Sequence, residues 1–181
     1  MEQTNVTIRE FNNILPMYDD SVYIDIDASV IGDVTIGKDS SIWPMCAVRG
    51  DVHKITIGER TNIQDGSIVH VTADNAFNPG GHPCDIGSDV TIGHGAIIHA
   101  CKIGNMSLVG MGATILDGAI IEDEVMVAAG SLVSPGKTLT SGFLWLGSPV
   151  RKARPLTDKE KEYLQFSAKH YVNLKNQHMQ K

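Results

Sequence analysis

Three of the seven histidines are the residues of this sequence best suited to hold a metal ion. His94 and His99 lie five residues apart in the apolar stretch TIGHGAIIHACKIG, and His70 ends the segment TNIQDGSIVH. Three imidazoles that leave a fourth position open are the pattern of a catalytic zinc site, not of a closed structural one. Whether these three rings can share one ion depends on how the fold places each of them.

The element that must position the histidines is a repeat with a period of six residues. An amphipathic helix would need a period of 3.6. A period of six with β-branched residues is typical of short strands joined by tight turns, three to a coil, in a parallel β-helix. An aliphatic residue starts each of seventeen hexads, which are those at Ile24, Val30, Ile36, Ile42, Val48, Ile57, Ile63, Val69, Ile86, Ile92, Ile98, Ile103, Val109, Ile115, Ile121, Val127 and Val133.

Irregularities in this repeat divide the chain. Three extra residues follow Val48, eleven follow Val69, and one residue is missing after Ile98. The longest insertion predicts a protruding loop over 72–85. The repeat fades after Val133, so we predict a β-helix domain over 1–153 and a C-terminal α-helix within 154–181 that packs on it, opened by a capping box of the TDKE type.

The register of the repeat predicts where each histidine points. His70 and His99 directly follow the start of the third hexad in neighbouring coils, so both rings point outward and stack at the ~4.8 Å spacing of adjacent strands. His94 belongs to the second hexad of its coil and lies near another edge. A second copy of the chain could bring His94 to the stacked pair, and a three-sided coil favours packing about a three-fold axis. We therefore expect a homotrimer with three shared sites.

Polar residues in the same register gather around these edges. Arg49 lies below His70, and Asp51 is in the short insertion VRGDVHK. Gln64 and Asp65 follow Ile63 in the preceding coil, which stacks Asp65 beneath His94. We expect an Arg49–Asp65 ion pair across subunits, which would satisfy both charges. Gln64 and Asp51 could orient a water molecule on the metal, and zinc lowers the pKa of such a water to ~7. The resulting hydroxide can attack CO₂ or a carbonyl carbon.

At this point the sequence resembles a known family. The segments AVRGDVHKITIG, TNIQDGSIVHVT, TIGHGAIIHACKIG, LVGMGATILDGA and GSPVRKARPL together are similar to the γ-class carbonic anhydrases, especially their short bacterial branch. The resemblance spans nearly the whole chain. It implies a left-handed β-helix, a homotrimer, and at each subunit interface a metal ion, usually zinc, with iron or cobalt also active. It implies hydration of CO₂ to bicarbonate by hydroxide on that ion. By position, it assigns metal ligation to His70, His94 and His99, and active-site or interface roles to Arg49, Asp51, Gln64 and Asp65.

The sequence also departs from the fullest pattern of that family. Val52 stands where a glutamate follows the RGD-like segment, and the loop TADNAFNPGGHPCD lacks the glutamate that serves as proton shuttle. Asp74 or His82 could substitute for it, and Trp145 stands where the family often has a tyrosine near the site. The departures predict weak hydration or another substrate. A metal-dependent acyl-CoA thioesterase, a hexapeptide-repeat acyl- or acetyltransferase and a catalytically weak metal-binding trimer therefore remain as alternatives.

The composition limits the kinds of partner and the compartment that we expect for this protein. A net charge of −6 gives no electrostatic support to a nucleic-acid or anionic-membrane partner. No apolar run approaches the ~18 residues of a membrane span, and the first residues lack the pattern of a signal peptide. Cys46, Cys84 and Cys101 show no CxxC spacing, which predicts free thiols in a reducing cytoplasm. We expect a cytoplasmic protein.

Overall fold

A computed structural model describes residues 7–180; residues 1–6 and 181, at the outer ends of the two predicted domains, lie outside the described residues. The chain winds into a parallel β-solenoid of about eight turns with a single C-terminal helix, as the repeat predicts. The strands are β1 (Ile8–Arg9), β2 (Met17–Tyr18), β3 (Tyr23–Ile24), β4 (Ser29–Ile36), β5 (Ser41–Ile42), β6 (Ala47–Ile57), β7 (Asn62–Ile63), β8 (Ile68–His70), β9 (Cys84–Ile86), β10 (Thr91–Ile92), β11 (Ile97–His99), β12 (Lys102–Ile103), β13 (Leu108–Val109), β14 (Thr114–Ile115), β15 (Ile120–Ile121), β16 (Met126–Val127), β17 (Leu132–Val133), β18 (Thr138–Leu139), β19 (Phe143–Gly147) and β20 (Val150–Pro155). The helix is α1 (Asp158–Met179).

Three stacks of strands form three faces of the solenoid. Face A holds β2, β9, β12, β15 and β18, face B holds β3, β5, β7, β10, β13, β16 and β19, and face C holds β1, β8, β11, β14 and β17. The longer strands β4 and β6 begin on face C and end on face A, which joins these two faces into one hydrogen-bonded sheet. Face B is a separate sheet, with β20 added antiparallel at its end.

The core is built from three columns of aliphatic side chains, one behind each face. On face C, for example, Val69 pairs with Ile98, and Ile98 with Ile115. Every predicted hexad start from Val30 to Val133 is buried. Each such aliphatic side chain contributes roughly 1.5–3 kcal/mol by leaving water. The predicted register is therefore confirmed.

The repeat extends further than the sequence pattern indicates. Leu139 pairs with Ile121 and Trp145 pairs with Val127, and both Leu139 and Trp145 are buried in the core. The expectation that the repeat fades after Val133 is wrong, because a leucine and then a tryptophan continue the columns. The indole of Trp145 is buried in the last turn of the core, and its correspondence to a tyrosine of the family stays a prediction.

Helix α1 lies along face B and contacts β3, β5 and β10. The predicted capping box is present: the Thr157 side chain accepts from the Glu160 backbone N–H, and the Glu160 carboxylate accepts from the Thr157 N–H. Further along, Ser167 bonds to Thr91 of face B at 2.9 Å, and the buried Lys175 ammonium bonds to Asp39 at 3.1 Å. Among the described residues, neither α1 nor any other helix combines the length and apolar character that crossing a bilayer requires.

Candidate metal centre

His70 and His99 stack on face C as predicted. They are paired residues of the parallel strands β8 and β11, and both side chains point outward beside buried Val69 and Ile98. His70 Nδ1 lies 3.2 Å from His99 Nε2. The register of the repeat thus brings two imidazole nitrogens from successive coils to one point on the surface.

Each of the three candidate histidines has a carboxylate on one ring nitrogen. The partner always comes from a neighbouring coil: the preceding one for His70 and His94, and the following one for His99. A carboxylate behind a histidine fixes its tautomer and orientation, and this arrangement is usual for histidines that bind metals. The three contacts are His70 Nε2 with Asp51 Oδ1 at 3.0 Å, His94 Nδ1 with Asp65 Oδ2 at 3.0 Å, and His99 Nδ1 with Asp117 Oδ1 at 2.6 Å.

The stacked pair has the donor geometry of a metal site. When each neutral ring donates its N–H to its carboxylate, His70 Nδ1 and His99 Nε2 are both left as lone pairs that face each other at 3.2 Å. Two lone pairs at that distance repel unless a cation lies between them. Two nitrogens that bind one tetrahedral zinc at ~2.0–2.1 Å are separated by about 3.3 Å. The residues present therefore fit a divalent metal ion.

The two carboxylates behind the stacked pair remain ionised. Partial burial opposes ionisation of Asp51, but hydrogen bonds from His70 and Arg49 outweigh it and lower the pKa of Asp51 below its usual value. Burial likewise opposes ionisation of Asp117, and hydrogen bonds from Thr72 and His99 outweigh it and lower the pKa of Asp117. Both groups are thus able to accept from imidazole N–H groups near neutral pH.

His94 lies apart from this pair, as predicted, at the corner between faces B and C. Its side chain is 48% exposed, and the contact with Asp65 uses Nδ1, which leaves Nε2 facing outward. Within the part of a single chain that the structure describes, no three His, Cys, Asp or Glu side chains are grouped to hold one ion. A third histidine would therefore have to come from another copy of the chain.

Gln64 ends a row of buried polar side chains that crosses face B. Gln64 Nε2 donates to Asn62 Oδ1 at 3.0 Å, and Asn62 Nδ2 donates to Thr91 Oγ1 at 3.1 Å. Thr91 in turn bonds to Ser167 of α1. Because its amide nitrogen is engaged, Gln64 keeps its carbonyl oxygen available as an acceptor.

Arg49 and Asp65 have partners inside their own chain. The Arg49 guanidinium bonds to Asp51, and Asp65 bonds to His94. The expected Arg49–Asp65 pair across subunits is not tested by a single chain and stays a prediction. Within the chain, Arg49 instead holds the carboxylate that supports His70.

The two candidate proton carriers of the loop lie in different surroundings. The loop closes on itself through reciprocal backbone hydrogen bonds between Thr72 and His82, of 3.1 and 2.9 Å. Asp74 accepts from the Gly80 N–H at 2.8 Å and so helps to close the loop. His82 lines a surface groove with Cys101 and Lys102. Neither side chain has a hydrogen bond to the stacked histidines.

Asp117, Thr72 and Asn62 are site residues that the sequence reasoning missed. Asp117 lies one coil beyond His99, and Thr72 begins the loop and donates to the second oxygen of Asp117. One signal could have found Asp117: it is the aspartate closest in register to His99 on the following coil. Asn62 precedes a buried hexad start and gives no such signal.

A groove of about 550 Å³ runs along face B beside α1 and ends at two of the predicted site residues. Gln64 and His94 line that end, and the walls elsewhere are mainly apolar. Its volume is typical of a site for a small organic molecule. The apolar walls include Leu108, Met126, Leu144 and the ring of Tyr163.

Comparisons with known proteins agree with this fold. Residues 100–135 match the model of the bacterial transferase hexapeptide (six repeats). The chain is 51% identical over 172 residues to protein YrdA of Escherichia coli, which covers 95% of this chain and 94% of YrdA. It is 49% identical over 163 residues to the mitochondrial γ carbonic anhydrase 2 of Arabidopsis thaliana, over 90% of this chain and 58% of that longer protein. A crystal structure of a hexapeptide transferase family protein from Anaplasma phagocytophilum superimposes with a TM-score of 0.88 at 42% identity, over 96% of this chain and 98% of that one.

The fold and these relatives define the class as a hexapeptide-repeat β-solenoid protein. Within that class, the chain belongs to the γ-class carbonic anhydrase family, in the short branch that includes YrdA. Proteins of this family are metalloenzymes.

Proposed function

We propose that this protein hydrates CO₂ to bicarbonate at metal sites shared between the subunits of a homotrimer. The observation that carries the proposal is the pair of facing nitrogens on His70 and His99, 3.2 Å apart, each ring held by a carboxylate. This arrangement leaves two lone pairs directed at one point, which suits metal ligation and gives neither ring a structural task. The expected cytoplasmic location stays a prediction.

His70 and His99 of one subunit and His94 of another would hold the ion. Neutral imidazoles suit zinc, and also iron and cobalt, among divalent metals. When bound, such an ion supplies Lewis acidity, so that water becomes a nucleophile near neutral pH. The chain's own carboxylates keep the ligand nitrogens in the unprotonated form.

The remaining polar residues act on water and substrate. The free carbonyl oxygen of Gln64 can accept a hydrogen bond from the reacting water and so direct a lone pair of that water toward CO₂. Arg49 holds the Asp51 carboxylate, and Asp51 in turn fixes the ring of His70. With no glutamate at the family's shuttle position, proton release to solvent is expected to limit the rate.

An exposed apolar strip supports the assembly that the shared site needs. Ile68 and Ile97 are paired on face C, and they directly precede Val69 and Ile98, the inward residues of β8 and β11. Their side chains are 45% and 39% exposed. Met111 lies one coil beyond His94 at the same corner between faces B and C, and its side chain is 59% exposed. Contact between the strip of one subunit and the His94 corner of the next would bury these side chains and complete the site.

Metal analysis followed by stopped-flow CO₂ hydration tests the proposal. The protein should bind one zinc, iron or cobalt ion per subunit and accelerate hydration, and His99→Ala should lose both properties. Leu132→Ala, a change on the same face away from the histidines, serves as the matched control. Stoichiometric metal without any acceleration of hydration would reject the activity and leave metal binding intact.

A second candidate function is hydrolysis of acyl thioesters by the same metal site. The groove along face B favours it, because a volume of about 550 Å³ far exceeds what CO₂ needs. If this function is correct, the metal-loaded protein cleaves medium-chain acyl thioesters, and Met126→Trp, which fills the groove, abolishes the cleavage. Acyl transfer to an acceptor after complete removal of metal would instead favour a hexapeptide acyltransferase.

A further inference from the structure

Two of the three cysteines lie opposite each other in neighbouring coils. Residues 102 and 103 pair with residues 85 and 86, so Cys101 stands against Cys84, and the Asp85 N–H donates to the Cys101 carbonyl at 2.9 Å. Both side chains are buried, and both belong to the hydrophobic core of the solenoid. Neither belongs to the set of residues that the proposed function uses.

The spacing of the two residues suits a strained disulfide. Neighbouring strands lie ~4.8 Å apart, which is within the Cα separation of roughly 4.4–6.8 Å that a disulfide accepts. Side chains of parallel paired residues point the same way, so their Cβ atoms are about as far apart as the strands, slightly beyond the usual ~3.5–4.5 Å. A bond that must draw these atoms together is strained, and strained disulfides are readily reduced.

One of the two cysteines lies close to the surface. Cys101 lines a surface groove of about 170 Å³ together with His82 and Lys102, whereas Cys84 has no exposed surface. The third cysteine, Cys46, is buried with its thiol bonded to the carbonyl groups of Ile63 and Gln64. Cys46 therefore has a similar burial but no thiol neighbour.

We propose that Cys84 and Cys101 form a reversible disulfide, which makes this pair an oxidation site of the solenoid. The oxidant is a small-molecule disulfide. The Cys101 thiolate attacks one of its sulfurs and expels one thiolate; the Cys84 thiolate then attacks Cys101 sulfur and expels the second. The protein loses two electrons and two thiol protons, and the reagent becomes two thiols. The new bond joins Cys84, the first residue of β9, to Cys101, which lies two residues after His99 in the chain.

Burial affects the rate of this reaction more than its end point. Because an oxidant must reach a side chain buried in the core, oxidation should be slow and should require sustained oxidising conditions. The fixed juxtaposition of the two sulfurs favours closure over a persistent mixed disulfide.

Thiol counting in redox buffers tests the proposal without any reference to metal or activity. The intact protein is equilibrated with hydroxyethyl disulfide and 2-mercaptoethanol at a series of ratios, quenched in acid, labelled with N-ethylmaleimide in denaturant and weighed. All three cysteines are free in the reduced chain, so the expected change is from three labels to one, with a Cys84–Cys101 peptide in the digest. Excess 2-mercaptoethanol should restore all three labels.

Matched variants sharpen the result. Cys46→Ser should go from two labels to none, while Cys84→Ser should never form an internal bond. Three labels at the most oxidising ratio, a stable adduct of the reagent on Cys101, or a failure to reverse would each overturn the proposal. The wild-type digest decides the matter even if Cys84→Ser does not fold.

Discussion

Replacing Asp117 by asparagine should weaken metal binding while leaving every proposed ligand in place. Asp117 Oδ1 accepts from His99 Nδ1 at 2.6 Å, and Thr72 donates to the other oxygen. The substitution keeps the size of the side chain but removes its charge. If the Thr72 hydroxyl donates to the oxygen of the new amide, the amide NH₂ group faces His99 Nδ1 and donates to it. This contact favours the tautomer in which Nε2 carries the proton and cannot bind a metal ion.

The size of the effect follows from this change of partner. Carboxylates behind metal-binding histidines typically contribute a factor of ~10–100 in metal affinity, which is about 1.4–2.7 kcal/mol. The short, charge-assisted contact puts Asp117 within that range. Asp85→Asn is a matched control, because it also removes one negative charge, from face A of the coil that carries His99, but has no hydrogen bond to a histidine ring.

Competition with a chromophoric chelator measures the dissociation constants of zinc and cobalt for the three proteins at one pH. Light scattering on the same samples verifies that their assembly is unchanged. A loss of about 10- to 100-fold for Asp117→Asn with an unchanged Asp85→Asn is the expected result. A metal affinity of Asp117→Asn within twofold of the wild type would refute the tautomer argument. An equal loss of metal affinity in Asp117→Asn and Asp85→Asn would show that the effect comes from charge in general.

Three further outcomes are expected. His99→Ala should bind no metal yet keep the circular dichroism spectrum and Tm of the metal-free wild type within a few degrees, because the ring points outward; a variant that unfolds would contradict the register. Ile97→Glu should convert trimers into folded monomers in light scattering, since it places a charge on the exposed apolar strip, whereas an unchanged mass would exclude this strip from the interface. Glu160 has its pKa lowered to about 2, chiefly by Arg154 and then by the Thr157 backbone, so it stabilises the fold above about pH 4.5 and loses this effect as pH falls toward 2. The difference in Tm between wild type and Glu160→Gln should therefore shrink over that interval, and a constant difference would show that charge is not its cause.

The sequence was sufficient to predict the solenoid and the stacking of His70 on His99. Both follow from one physical constraint: side chains alternate between the two sides of a strand, so a hexad start that points inward forces the next residue outward. The same constraint placed Asp65 below His94. The pattern of β-branched hexad starts ends at Val133, so it does not predict the core positions of Leu139 and Trp145, where the last turns accept larger side chains.

Contacts that form where the repeat is broken could not be predicted in this way. Asp51 lies within the three-residue insertion, where β6 continues around the corner without a regular turn. Asp117 meets His99 next to the shortened corner, at which Ala100 adopts a left-handed conformation with φ of 49°. At such places the direction of a side chain depends on local backbone geometry, and counting residues gives only the coil to which it belongs.

The separation of the ligands between two faces has a thermodynamic consequence. His70 and His99 lie on face C and His94 lies at the corner with face B, so in the proposed assembly one chain offers an ion two nitrogens and another copy supplies the third. An ion that binds only the assembled form stabilises that assembly by mass action, and assembly raises the affinity for the ion to the same extent. The carboxylates from neighbouring coils favour both metal binding and assembly. They keep the histidines of each chain in the tautomer that metal binding requires before the subunits meet.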